Sequence, residues 1–188
     1  ACDVSDYGPA SLFVGAAIRT ILRSGEFQKM IPSMMITTIE TKIKNLSAGG
    51  NLSDIYLTIC QLNLKTGKAV ISSYGPATTL FYTSKKAGLI DLGDTEAGKL
   101  FAKRTFFRDL TISLDPGDTL LYYTRGVIRA RRDFDEQEYG LARLKENTLV
   151  NISGESLELI HGITESVYEF TDYNPVREDI ILISMKRV

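Results

Sequence analysis

The sequence predicts a single α+β domain in which antiparallel sheets are flanked by helices, and three patterns carry that prediction. Apolar residues recur at helical spacing up to Leu46. An alternation of apolar and polar residues, broken by turn signals, then runs to Thr124. Helical spacing returns after it and gives way to one closing strand. A chain of 188 residues is long enough to bury a core of its own and falls within the usual size of one domain.

Each element has its own signal. Pro9 suits a first helical turn, and Leu12, Phe13, Ala16, Ala17 and Ile21 continue the stripe to a stop near Gly25. Ile31, Met35, Ile39, Ile43 and Leu46 predict a second helix that ends before Ala48-Gly49-Gly50. Ile55, Leu57 and Ile59 alternate, and the turn at Lys65-Thr66-Gly67-Lys68 leads into Ala69 to Tyr74, which reads as a hairpin. Strands are expected at Thr79 to Thr83, Leu89 to Leu92, Thr105 to Leu114 and Thr119 to Thr124, in one antiparallel meander. Asp115-Pro116-Gly117-Asp118 has the residues of a type II turn between the last two. Helices are expected around Gln137 to Asn147 and Leu157 to Phe170, and a final strand from Asp179 to Met185.

Composition excludes several functions. With 22 Lys+Arg against 23 Asp+Glu, the chain lacks the excess basic charge on which general nucleic-acid or anionic-membrane binding relies. No apolar run approaches the ~18 residues of a membrane span. Cys2 and Cys60 with one histidine cannot build a disulfide framework or the usual structural zinc sets, so a reduced, cytoplasmic setting is expected. No phosphate-loop or dinucleotide glycine pattern is present, and Ser5 has no neighbouring histidine to activate it.

Three clusters could carry chemistry. Asp3 and Asp6 flank a strand end and a small-residue turn through Gly8, a setting that reads equally as a hard-cation ligand or as helix capping. Glu178-Asp179 precedes the last strand, either as a solvated acid pair or as part of an oxygen-rich site. Arg125, Arg129, Arg131 and Arg132 follow a strongly apolar strand. They read as a solvated surface paired with carboxylates such as Asp133 and Glu136, or as an anion or acidic-partner site, since guanidinium pairs bidentately with phosphate. His161 is expected to pack on a helix face, and Cys60 to act as a small apolar residue.

Taken in order, these motifs resemble the stage II sporulation protein E branch, which includes RsbU-like sigma-factor regulators, of the PPM-type metal-dependent serine/threonine protein phosphatases. Cys2-Asp3-Val4-Ser5-Asp6-Tyr7-Gly8 is similar to the family's Gly-Asp-Val-Ser-Gly-His-Gly turn, and Ser72-Ser73-Tyr74-Gly75-Pro76 to its Ala-Ser-Ala-Gly-His turn. Asp115 to Val127 resembles the Pro-Gly-Asp strand that ends in Thr-Asp-Gly-Val, and Pro175 to Ile183 the terminal Asp-Asp-Ile-Thr strand.

The resemblance implies an αββα sandwich holding Mn²⁺ or Mg²⁺, with a metal-activated water attacking phosphoserine; the family's front strands, which precede the first motif, are missing from this sequence. It places Asp3 at the position of the metal-bridging aspartate, the Val4 carbonyl at that of the backbone ligand, and Glu178 at that of the late ligand aspartate. Arg125 stands where the family has the aspartate of Asp-Gly-Val. That replacement puts a fixed cation where a cation would bind, so metal binding is expected to be weakened or lost. Arg125, Arg129 and Asp6 are then expected to serve partner binding, and a pair between Arg125 and Asp3 or Glu178 could stand in for an ion.

Residues 1–188 are thus expected to be one phosphatase-like domain, the C-terminal part of a longer bacterial signalling protein with an upstream sensor domain. Its expected partner is a phosphorylated STAS-type anti-sigma-factor antagonist, and the chain could form a homodimer. Two functions compete: a pseudophosphatase that binds the partner without hydrolysis, and an active Mn²⁺- or Mg²⁺-dependent phosphatase with a reduced metal site.

Overall fold

The computed structural model describes residues 2–4, 9–46, 55–75, 78–94 and 107–188, which fall into two compact units. The first holds β1 (Cys2–Val4), α1 (Pro9–Arg23), α2 (Pro32–Leu46), β2 (Ile55–Leu62), β3 (Lys68–Tyr74) and β6 (Leu110–Ser113). Its strands form one antiparallel sheet in the order β1-β2-β3-β6. Of the stripe read from the sequence, Met35, Ile39 and Ile43 lie on the buried face of α2, joined by Ile36 and packed with Ile55 and Leu57 of β2 and Tyr74 of β3, whereas Ile31 precedes the helix and is exposed. The start of α2 is capped from a distance. The Asp109 carboxylate accepts from the Ser33 N–H at 2.9 Å and from its hydroxyl at 2.7 Å, satisfying a donor that a helix N-terminus leaves without an internal partner.

The second unit holds β4 (Thr79–Thr83), β5 (Gly88–Asp91), β7 (Thr119–Tyr123), α3 (Arg125–Arg129), α4 (Gly140–Asn151), α5 (Ser156–Phe170) and β8 (Leu182–Lys186). Its sheet runs β5-β4-β7-β8, antiparallel throughout. Every residue of β7 is buried, as expected of a strand with neighbours on both sides. Leu121 and Tyr123 pack into one core with Leu144 of α4 and Leu159, Ile163 and Val167 of α5. A capping box at Glu155 and Glu158 starts α5.

Lys186, at the end of β8, donates to the carbonyls of Ile152 (3.2 Å), Ser153 (3.2 Å) and Gly154 (2.6 Å), closing the turn between α4 and α5. One ammonium thus supplies the partners that the C-terminus of α4 lacks. Lys186→Met keeps the stem and removes the donors; it is expected to cost about 2 kcal/mol, lowering the melting temperature by roughly 4–8 °C. A thermal melt checks this, and an unchanged midpoint would show that the three contacts contribute nothing.

The expected α+β class is found, with several local differences. Asp115 to Asp118 does form the expected turn, with Gly117 at φ +88° and the Asp118 N–H donating to the Asp115 carbonyl at 2.9 Å. It does not close a hairpin, however: β6 pairs with β3, whereas β7 pairs with β4 and β8, so the meander is divided between two sheets. Of the strand expected from Thr105, only Leu110–Ser113 is paired, residues 107–109 are outside it, and residues 105 and 106 lie outside the described residues. The strand expected from Asp179 begins at Leu182, because Thr124 takes up the preceding backbone: its Oγ1 donates to the Asp179 carbonyl (2.8 Å) and accepts from the Ile181 N–H (3.0 Å). The helix expected around Gln137 starts at Gly140, whose φ of +81° marks the end of the preceding loop. Arg125–Arg129 forms a helical turn that no periodicity announced. Among the described residues no helix is long and apolar enough to cross a membrane.

Candidate functional site

The residues singled out in the sequence divide between the two units. In the first, Asp3 and Val4 sit on β1, both half-buried, opposite Tyr56 and Ile55 of β2. Asp6 and Ser5 lie outside the described residues. Burial pushes the Cys2 thiol up to about 11 and raises that of Cys60, which disfavours the thiolate form that acts as nucleophile or metal ligand.

In the second unit the end of β7 meets the stretch ahead of β8. The Thr124 N–H donates to the Ile181 carbonyl at 3.0 Å, which together with the Oγ1 contacts clamps the two segments side by side. Gly126 completes this approach. A Cβ at that position would overlap the Asp179 carbonyl oxygen and lie 3.0 Å from that of Glu178, so only glycine fits. The clamp places Arg125 at the first position of α3, half-buried with its Nε shielded from solvent, and Arg129 four residues on. Arg129 Nη1 reaches the Glu178 carboxylate at 3.4 Å, with both side chains partly exposed. The structure thus brings Arg129 and Glu178 together.

The rest of the arginine run has local work. Arg131 pairs with Glu138 (2.8 Å) and Glu136 (3.3 Å), and Arg132 with Asp135 (2.7 Å) while lying over the rings of Phe134 (4.9 Å) and Phe170 (5.0 Å). This is the solvated-surface alternative, with Glu136 as the sequence suggested and Asp135 and Glu138 as further partners. His161, expected to pack, is exposed on α5, because the buried face of that helix is spent on Leu159, Ile163 and Val167.

Among the described residues no group of three or more His, Cys, Asp or Glu side chains could hold a metal ion. The Glu178 carboxylate faces a guanidinium, and a second arginine begins the same helix. A guanidinium paired with this carboxylate opposes a cation there. Sequence reasoning missed Thr124 and Gly126, which organise the corner. The glycine just beyond the apolar strand was the available signal, since such a residue can mark a close backbone approach.

Two antiparallel sheets bearing helices in this connection order match the PP2C fold. The SiaA PP2C domain of Pseudomonas aeruginosa has the same fold, with a TM-score of 0.78 and 15% identity over 100% of this chain and 73% of that one. The family described as Stage II sporulation protein E (SpoIIE) matches residues 1–188, and the chain belongs to it. It is a SpoIIE-like signalling phosphatase domain.

Similar folds occur in the RsbU and RsbW domains of Rv1364c from Mycobacterium tuberculosis (TM-score 0.74, 19% identity, 99% of this chain and 50% of that one). RsbX in complex with magnesium is similar as well (TM-score 0.61, 14% identity, 97% of this chain and 77% of that one). The chain spans half the length of the RsbU–RsbW structure. No curated protein matches the sequence.

Proposed function

We propose that this chain is a pseudophosphatase: a cytoplasmic binding module of a sigma-factor signalling system that recognises a phosphorylated STAS-type partner without hydrolysing it. Residues 1–188 would be the effector part of a longer protein whose sensor lies upstream. The observation that carries this reading is the corner at Arg125. The residue that replaces the family's ligand aspartate is a guanidinium, and Glu178, at the position of the other late ligand, faces Arg129 at 3.4 Å. The family uses Mn²⁺ or Mg²⁺, and RsbX holds magnesium; in this chain Asp3, the Val4 carbonyl and Glu178 are the groups left at the family's positions. Charges of the wrong sign stand beside Glu178, and a carboxylate already engaged by arginine must give up that partner before it can serve a metal.

Hydrolysis of p-nitrophenyl phosphate decides between binding module and enzyme. With Mn²⁺ or Mg²⁺ supplied, the chain is expected to turn over no faster than its Asp3→Asn variant. Metal-dependent turnover that Asp3→Asn abolishes would overturn the proposal in favour of an active phosphatase with a reduced metal site.

A further inference from the structure

We propose that the loop between α3 and α4 is a docking element for a partner protein, with Phe134 as its anchor and the carboxylates around it matching a basic rim on that partner. The proposal goes beyond the reading of the Arg125 corner and holds whether or not the domain hydrolyses phosphate esters. Phe134 is 75% exposed at the tip of this loop. A lone exposed apolar side chain needs no explanation, but this one is held in place. Arg131 and Glu138 form an antiparallel bridge and pair through their side chains at 2.8 Å, and the Arg132 N–H donates to the Gln137 carbonyl at 3.2 Å. Nearer the tip, the Glu136 N–H donates to the Arg132 carbonyl at 3.0 Å and the Gln137 N–H to the Asp135 carboxylate at 3.1 Å. Exposed loop tips are ordinarily built from small polar residues that move freely. Here the backbone is tied across its base and the tip carries a large aromatic ring.

The ring itself is braced from within. The Arg132 guanidinium lies over Phe134 at 4.9 Å and over Phe170 of α5 at 5.0 Å, and Phe170 meets the buried Tyr139 edge-on at 5.5 Å. A column of stacked side chains therefore runs from the core of this unit to the exposed ring. A side chain already fixed in one place loses little freedom when a partner covers it, and rigid aromatic residues supply much of the binding energy at protein interfaces. Charge says what surrounds the pocket that would receive it. Arg131 to Glu138 holds two arginines against four acids. Arg177 reaches Glu136 at 3.2 Å, whereas Asp133, the neighbour of Phe134, makes no ion pair among the described residues. Surplus negative charge beside the anchor opposes an anionic membrane surface. It suits a protein face on which Lys or Arg side chains ring an apolar pocket.

The test puts the photo-crosslinker p-benzoylphenylalanine in place of Phe134 in cells that make this protein. The crosslinked protein is identified by mass spectrometry, purified, and titrated calorimetrically with the parent chain and three variants. Phe134→Ser is expected to weaken binding at least about tenfold and Phe134→Tyr less than about threefold. Asp133→Lys should weaken it about fivefold and make the affinity less sensitive to added salt, because it removes the attraction to the basic rim. Should the serine variant lose stability, the tyrosine and lysine variants keep the test sound, since one retains the ring and the other changes only an exposed charge. Adducts with a second copy of the chain or with lipid alone, no adduct, or an identified partner that Phe134→Ser binds as tightly as the parent would each overturn the proposal. Unchanged or tighter binding by Asp133→Lys would overturn the basic rim and with it the kind of partner assigned.

Discussion

Gly126→Ala is expected to destabilise the protein by about 3 kcal/mol, lowering its melting temperature by roughly 6–12 °C, even though it adds a single methyl group. The methyl would overlap the Asp179 carbonyl oxygen and would also meet the Asp179 carbonyl carbon at 2.9 Å and the Glu178 oxygen at 3.0 Å. All three belong to backbone, so no side chain can swing away to make room. Relief requires the end of β7 to separate from the stretch ahead of β8, which breaks the hydrogen bonds that Thr124 makes to Asp179 and Ile181. The same movement carries Arg125 and Arg129 away from Glu178. A melting temperature within about 2 °C of the parent's would show that this junction can yield and that the glycine is not needed for the approach.

Asp118→Ala should have an effect of similar or larger size, about 4 kcal/mol, for a different reason. Asp118 is 1% exposed, and its carboxylate is the acceptor for three donors: the Ser84 N–H (2.7 Å), the Ser84 hydroxyl (2.8 Å) and the Asp115 N–H (2.8 Å). Truncation leaves these donors without their acceptor in a place water reaches poorly, and each orphaned group costs about 1–3 kcal/mol. The backbone around it also sets the end of the sheet, since the Arg187 N–H donates to the Asp118 carbonyl (2.9 Å) and the Gly117 N–H to the Arg187 carbonyl (2.7 Å). Asp118→Asn should lie between parent and alanine. Its amide can keep an oxygen toward Ser84 but must then turn an NH₂ toward the Asp115 N–H. Urea unfolding of the three proteins gives the order, and an asparagine variant less stable than the alanine one would contradict the account.

The resemblance that identified the family rests on this Pro-Gly-Asp turn among other motifs, yet the part Asp118 plays is structural, since it pins the loop at Ser84 and the end of β8. Arg125 and Glu178, by contrast, lie where the fold leaves polar side chains partly exposed at a strand end, and exposure frees a position to change without unfolding the protein.

Local pattern by itself determined much of this protein. The helices α1 and α2, the turn at Gly67, the type of turn at Asp115 to Asp118 and the apolar run of β7 were all legible, because helix and strand periods and turn chemistry depend on residues a few positions apart, but the face read for α1 was not the buried one: Leu12 and Phe13 are exposed and Ile18 is in the core. The ordered motifs carried the family. Only the tertiary structure decided the rest. It assigned β6 and β7 to different sheets although a good turn joins them, since pairing is chosen by distant strands: β3 for one, β4 and β8 for the other. It held back the start of β8 to Leu182, because a threonine 57 residues earlier in the chain claims the Ile181 N–H. It also separated Arg129 from Arg131 and Arg132. In sequence the three are one basic run; in space the first faces Glu178 across a backbone junction, while the others close a loop on their own neighbours. Which carboxylate an arginine meets is fixed by packing between segments far apart in the chain, and no short-range spacing encodes it.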